Sequence, residues 1–187
     1  MPVTQVSVCN SALVKVGADR ISSITQNTKS AILLNAIFNQ TRDNVLRAHP
    51  WNFAMKRATL APTSTTPEFE WDYQYDKPSD MLRVWETYPD DIPHIIEGEK
   101  ILTDESSLDV RYIYRQDDPA TWDACFAEAL AWNLAEQIAL ALTGSLNIQK
   151  ACADGYKRAL AEARSMDGME GAIKGLEIDD WILARGR

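Results

Sequence analysis

The apolar positions change their spacing part-way along the chain. Before residue 49 they recur every three or four residues, most clearly from Ala31 to Ala48, which is typical of a helix with one buried face. Between residues 55 and 116 apolar and polar residues mostly alternate, as in half-buried strands. Pro50 lies at the change, because proline breaks the helical ladder and disfavours helix in the preceding residue. We therefore predict a helical bundle and a β module that meet at a corner around Pro50.

Two helices are predicted before the corner. Thr4 and Thr28 are suitable N-caps, and they predict helices at about residues 5–16 and 29–48. Gly17 suits the C-terminal end of the first helix. The second helix carries an apolar seam, which we interpret as bundle core.

Two more helices are predicted after the β module. Asp118 and Pro119 are typical N-cap and first-turn residues, so the third helix should run from there to about residue 142. The fourth is expected at about 145–166. A glycine in mid-helix is unfavourable relative to alanine, so Gly155 indicates a close contact with another helix.

The middle of the chain predicts one antiparallel sheet of four or five strands. Phe69, Trp71, Tyr73 and Tyr75 alternate with polar residues, which predicts a strand with one aromatic face. We expect Trp71, Tyr73 and Tyr75 to pack the sheet on the bundle. A two-residue turn with glycine first predicts a short hairpin. Six segments are candidates for these strands: 55–60, 69–75, 81–88, 94–97, 100–103 and 108–116.

The predicted fold class is α+β and mainly α: an antiparallel helix bundle with a small antiparallel β-sheet module between the second and third helices. Residues 1–54 and 118–166 would form the bundle, and 55–117 a β-rich acidic insertion. Residues 167–187 would form a C-terminal docking tail. This tail contains four glycines and no sustained period, so we expect it to become ordered only on assembly.

An apolar cluster within the tail has no evident partner in the chain. Its members are the expected contacts with a portal or a neighbouring subunit, with Trp181 as the main anchor. They are Ile178, Trp181, Ile182 and Leu183.

The charge is concentrated in the β module. The chain carries a formal charge of −8, yet residues 68–118 hold 15 Asp and Glu against 5 Lys and Arg. Proteins that grip nucleic acid present basic surfaces, so the acidic module argues against a DNA-binding module, although it is compatible with DNA passing without adhesion. The three cysteines are far apart, which predicts reduced thiols. No signal peptide or membrane-length apolar run is apparent.

Candidate catalytic chemistry is sparse. The sequence lacks a phosphate-binding glycine loop, a nucleophile elbow and paired metal-ligand motifs. His49, at a predicted helix end, is expected to have a positional role. Residues 90–94, which include His94, could hold a metal, although a solvated turn is the better interpretation. Glu97, Glu99 and Asp104 leave open a carboxylate enzyme that cleaves cell-wall glycosides.

The corner carries a pattern of residues that resembles a known family. The pattern R-D-x-V-L-R-x-H-P-W-x-F-A at residues 42–54 resembles the head-to-tail adaptors of short-tailed bacteriophages, also called tail tubular protein A or tail accessory factor. The resemblance covers nearly the whole chain. Supporting residues are Asn10, Ala12, Leu13, Gly17, Ala18, Ile21, Trp71, Tyr73, Tyr75, Pro78, Asp80, Arg83, Trp122, Ala135, Thr143, Gly144, Tyr156, Ala163 and Arg164.

The resemblance implies a structural role and no catalysis or cofactor. Such adaptors form a ring, a dodecamer, between the portal and the tail nozzle, and DNA passes through the channel without specific binding. The expected location is the virion's head–tail junction, after synthesis in the host bacterial cytoplasm, with no membrane partner. We expect Glu97, Gly98 and Glu99 to face the tail nozzle.

Overall fold

The structure, a computed structural model, describes residues 3–88 and 92–170. Four helices and two small three-stranded antiparallel sheets make the fold α+β and mainly α, as predicted. In chain order the elements are α1 (Gln5–Val16), α2 (Lys29–Arg47), β1 (Met55–Leu60), β2 (Tyr73–Asp76), β3 (Met81–Tyr88), β4 (Ile95–Glu97), β5 (Lys100–Thr103), β6 (Leu108–Tyr114), α3 (Ala124–Thr143) and α4 (Leu146–Glu170).

The caps expected for the first two helices are confirmed. The hydroxyl of Thr4 accepts from the backbone N–H of Ser7 at 3.1 Å, and that of Thr28 accepts from Ala31 at 3.3 Å. Gly17 ends α1 with φ +74°, a conformation that glycine adopts without steric cost.

The start of α3 differs from the prediction. Asp118 caps a short 3-10 turn, Pro119–Thr121, after which Trp122 is extended. Asp123 is the N-cap of α3, and its carboxylate accepts from the N–H groups of Cys125 and Phe126. The expected cap, Asp118, and the proline that follows it therefore begin a separate 3-10 turn, and the true cap of α3 was not predicted.

Helix α3 is the centre of the helical region, because it contacts each of the other three helices. The close contact predicted at Gly155 of α4 is confirmed. A Cβ atom at Gly155 would lie 2.5 Å from the indole of Trp132, so only glycine lets the two helices approach this closely.

Helix α4 extends beyond its predicted end. It runs to Glu170, so residues 167–170, assigned from the sequence to the tail, are helical. Asp167 forms tertiary contacts described below, which hold the additional turn in place.

The β module consists of two sheets rather than one. Their strand orders are β1-β6-β3 and β2-β5-β4. Tyr75, Ile101 and Leu108, which come from both sheets, are fully buried in one shared core. A single sheet would have left this face uncovered.

The aromatic strand is shorter than predicted and packs elsewhere. Strand β2 begins only at Tyr73, because Glu70 adopts φ +69° and interrupts the extended backbone. Tyr75 lies in the core of the β module with Tyr73 against it, so these rings do not pack the sheet on the helices.

Candidate interaction surfaces

The corner joins the helices to the β module through buried aromatic residues. Trp51 is fully buried, and its indole N–H donates to the carbonyl of Val45 at 3.0 Å. The ring of Phe126 in α3 lies 5.2 Å from that of Trp51 and 5.0 Å from that of Phe53. The segment from Asn52 to Ala54 is a 3-10 turn, and the Trp51 and Phe53 rings lie 6.2 Å apart.

Strand residues complete this core. Leu82 of β3 and Ile113 of β6 belong to the same buried cluster as Trp51 and the helical residues. The corner therefore fastens the β module to the helical region through shared packing as well as through the chain.

Four charged residues form a second joint beside the corner. The nearly buried guanidinium of Arg42 lies 2.8 Å from Asp43 and 2.7 Å from Asp117. Arg115, just after β6, lies 2.9 Å from the second carboxylate oxygen of Asp43. This hydrogen bond raises the pKa of the Arg115 guanidinium, and the negative charge of Asp43 adds to the effect. The Arg-Asp pair that opens the corner pattern thus links α2 to the C-terminal end of the insertion.

The last turn of α4 forms a latch on the corner. We define the latch as Asp167 with His49 and Asn52. One carboxylate oxygen of Asp167 lies 3.0 Å from Nε2 of His49, and the other accepts from the backbone N–H of Asn52 at 2.9 Å. The Asn52 side-chain amide donates to the Asp167 carbonyl at 2.8 Å. The positional interpretation of His49 agrees with this geometry, but no pattern along the chain indicated Asp167 as its partner.

These contacts explain why the corner pattern has its residues in this order. Arg42 and Asp43 pair charges, Val45 and Leu46 are buried, and His49 holds the latch. In physical terms the pattern describes a packed joint, so contacts within the chain account for these residues.

The hairpin predicted to face a tail nozzle is formed and exposed. Gly98, at φ +57°, starts the two-residue turn between β4 and β5. Glu97 and Glu99 are exposed, and Glu99 lies 3.9 Å from the ammonium group of Lys77. Asp104, the third carboxylate of the enzyme hypothesis, accepts from the backbone N–H of Asp72 at 3.1 Å.

Sequence reasoning missed a cleft beside this hairpin. It has a volume of about 330 Å³, and Phe69 at its edge is 75% exposed. Glu70, with its unusual backbone, lies between Phe69 and Trp71, and all three line the cleft. The sequence signal for this cleft was Phe69, an aromatic residue flanked by two glutamates. The alternation of aromatic and polar residues had instead predicted that Phe69 belongs to the aromatic face of a strand.

The remaining candidate sites are placed as follows. Nδ1 of His94 lies 2.9 Å from the carbonyl oxygen of Ile92. Residues 90 and 91 of the candidate metal site lie outside the described residues, and no group of three potential metal ligands occurs within residues 3–88 and 92–170. The tail anchors also lie outside the described residues; they are Ile178, Trp181, Ile182 and Leu183.

The three cysteines are free thiols, as predicted. Cys9 and Cys152 are buried, whereas Cys125 is only partly so. Burial raises the pKa of the Cys9 thiol to about 12 and also raises the pKa of the other two. Reactive cysteines have lowered pKa values, so these thiols lack the environment of a nucleophile.

The chain matches no protein-family model and no curated protein. Within the part of the chain that the structure describes, no helix combines the length and apolar character that a membrane crossing requires.

Proposed function

We propose that the chain is a structural head-to-tail adaptor subunit of a bacteriophage virion. In this proposal, copies of the chain form a ring, a dodecamer by resemblance, that joins the portal to the tail nozzle and leaves a channel for DNA. The observation that carries the proposal is the corner, because most residues of the R-D-x-V-L-R-x-H-P-W-x-F-A pattern take part in one packed joint between helices and an acidic β module. A ring subunit that transmits force between two partners requires such a joint.

Charge supports the channel part of the proposal. Four of the five basic residues between residues 68 and 118 lie within 4.0 Å of a carboxylate; they are Lys77, Lys100, Arg111 and Arg115. Their charges are therefore offset within the chain, and the excess of carboxylates determines the field of the module. Such a surface would repel DNA phosphates and let the duplex pass.

The latch supports the docking part of the proposal. It holds the end of α4 at the corner, so a docking tail would begin at residue 171 rather than 167. We propose that the tail reaches the portal or a neighbouring subunit, with Trp181 as its main anchor. The exposed hairpin at residues 97–99 would face the nozzle.

The experiment is electron microscopy of the pure chain with and without the portal protein of the phage that encodes it. We expect closed rings seated on the portal. Portal particles without added density would contradict the proposal.

Two further assays separate the alternative functions. The pure chain should release no peptidoglycan fragments, and release that is lost in Glu97→Gln or Glu99→Gln would establish the enzyme instead. Duplex DNA should not be retained on the immobilised chain at low salt. Retention that falls steeply with added salt would indicate phosphate contacts.

A further inference from the structure

The sheet β2-β5-β4 has an outer face that remains partly apolar. In this sheet Leu102 pairs with Gln74 on one side and with Ile95 on the other. Directly paired residues share a face, so these three side chains lie together. Tyr75 and Ile101 on the opposite face are fully buried in the core of the β module. The face that bears Leu102 is therefore the outer one, and its Ile95 is 42% exposed.

The segment before β2 forms one wall of a cleft on this face. Residues 66–71 line the cleft together with Gln74 and Leu102. Glu70 is the one non-glycine residue with positive φ within residues 3–88 and 92–170. Backbone strain of this kind is concentrated at functional sites. Here it accompanies a phenylalanine, Phe69, that lines the cleft while three-quarters of its surface is exposed.

The rim of the cleft is negatively charged. Glu68, Glu70 and Glu97 line it, and none of them takes part in the ion pairs found among the described residues. Lys100 is the basic residue of the lining, and its ammonium group lies 2.6 Å from the carboxylate of Asp76. The cleft thus combines an apolar floor and aromatic wall with uncompensated carboxylates.

We propose that this cleft binds a partner segment in which one apolar side chain is flanked by arginine or lysine. Leu102 is already buried, so the apolar side chain would pack chiefly on the ring of Phe69, whose exposed apolar surface is thereby removed from water. The flanking cations would meet the rim glutamates and the aromatic faces. The inference deepens the proposed function, since on an adaptor the segment would belong to the nozzle, but its chemistry rests on the cleft alone.

Two short synthetic peptides test the inference on the full-length chain. The probe is acetyl-Gly-Arg-Leu-Arg-Gly-amide, and the matched control replaces both arginines with glutamate. In amide ¹H–¹⁵N spectra, we expect the basic peptide at millimolar concentration to shift resonances of residues 68–71 and 97–102, and added salt to weaken the effect. The acidic peptide should shift none of them. Equal responses to both peptides, no response, or shifts spread over all acidic surfaces would overturn the inference.

Variants sharpen the test. Phe69→Ser and the double variant Glu70→Gln/Glu97→Gln should each weaken peptide binding by about tenfold. A tenfold change in affinity corresponds to about 1.4 kcal/mol of binding free energy. The matched controls are Trp85→Ser, a partly exposed aromatic on β3, and Glu105→Gln, an exposed carboxylate outside the cleft lining. Both should bind as the parent chain does. Unchanged binding in Phe69→Ser would overturn the inference.

A second copy of the chain is the competing occupant. In sedimentation experiments, any self-association should be the same in the parent chain and in Phe69→Ser. Self-association that Phe69→Ser abolishes would assign the cleft to a subunit contact instead. If the peptide does not bind, the cleft inference fails, but the proposal that the chain assembles on the portal is unaffected. Failure of portal assembly with intact peptide binding would reject the adaptor and keep the cleft.

Discussion

The helical region and the outer face of the β2-β5-β4 sheet differ in how far their apolar side chains are buried. At the centre of the helical region, Trp51, Phe126 and Leu130 are fully buried, and each is explained by packing within the chain. On the outer sheet face Ile95 remains exposed, and Phe69, in the segment before β2, is exposed in a cleft that glutamates also line. Internal packing accounts for the first arrangement and does not account for the second.

This difference separates stability from recognition. The residues with the most recognisable sequence pattern, at the corner, maintain the fold. The residues that suit a partner lie on a surface where the sequence pattern is weak. Substitutions at the corner should therefore change the free energy of unfolding, and substitutions on the sheet face should change binding alone.

The largest effect is expected at Trp51. Trp51→Ala removes a buried ring and its hydrogen bond to Val45, and should lower the free energy of unfolding by about 3–5 kcal/mol. Trp85→Ala, on the partly exposed surface of β3, should change it by under about 1 kcal/mol. Denaturant titration measures both. Similar losses in the two variants would remove the contrast between buried joint and exposed sheet.

A smaller effect is expected where α4 crosses α3. Gly155→Ala places a methyl group against the indole of Trp132 and should destabilise the chain by about 1–3 kcal/mol. Gly168→Ala lies in the same helix with nothing within 4 Å of the added Cβ. It should stabilise the chain by about 0.5–1 kcal/mol, because alanine favours helix. Thermal unfolding would disprove the packing argument if both variants shift the midpoint in the same direction.

The latch should contribute less than either core contact. Asp167→Ala removes the carboxylate that accepts from Asn52 and contacts His49, at an expected cost of about 1–2 kcal/mol. The control Asp154→Ala removes an exposed carboxylate of α4 that lies 3.8 Å from Lys157, and should change the free energy of unfolding within about 0.5 kcal/mol. If both substitutions have the same effect in urea titrations, the end of α4 does not belong to the fold.

The smallest effect concerns thiol chemistry and leaves stability untouched. At mildly alkaline pH, iodoacetamide should label Cys125 first, because Cys9 and Cys152 are buried. The raised pKa of Cys9, about 12, also keeps its thiolate fraction very low. Mass spectrometry after timed labelling of the native chain gives the order in which the cysteines are alkylated. Labelling of Cys9 before Cys125 would show that the helical region opens more easily than its packing implies.

Local signals predicted the helical region well. Thr4, Thr28 and Gly17 predicted helix ends because they are suitable capping residues. Gly155 predicted a close contact because glycine is otherwise unfavourable in a helix. Each of these inferences depended on residues near one another in the chain, where geometry is determined by local sterics and hydrogen bonds.

Tertiary features were harder to predict. The alternation in residues 69–75 predicted one aromatic strand. The positive φ of Glu70 interrupts it, and the spacing of apolar residues carries no information about such a backbone change. Two sheets cannot be distinguished from one by strand content alone. The partner of His49 is Asp167, 118 residues away, and no local pattern links them.

The separation of docking from folding is tested most directly by a truncation after Glu170, compared with the full chain. We expect an unchanged thermal midpoint, because the latch and α4 are retained, together with loss of binding to portal rings in cosedimentation. Trp181→Ala in the full chain should reproduce much of that loss. Portal binding that survives the truncation, or a truncated chain that no longer folds, would contradict the claim that docking residues are separate from the fold.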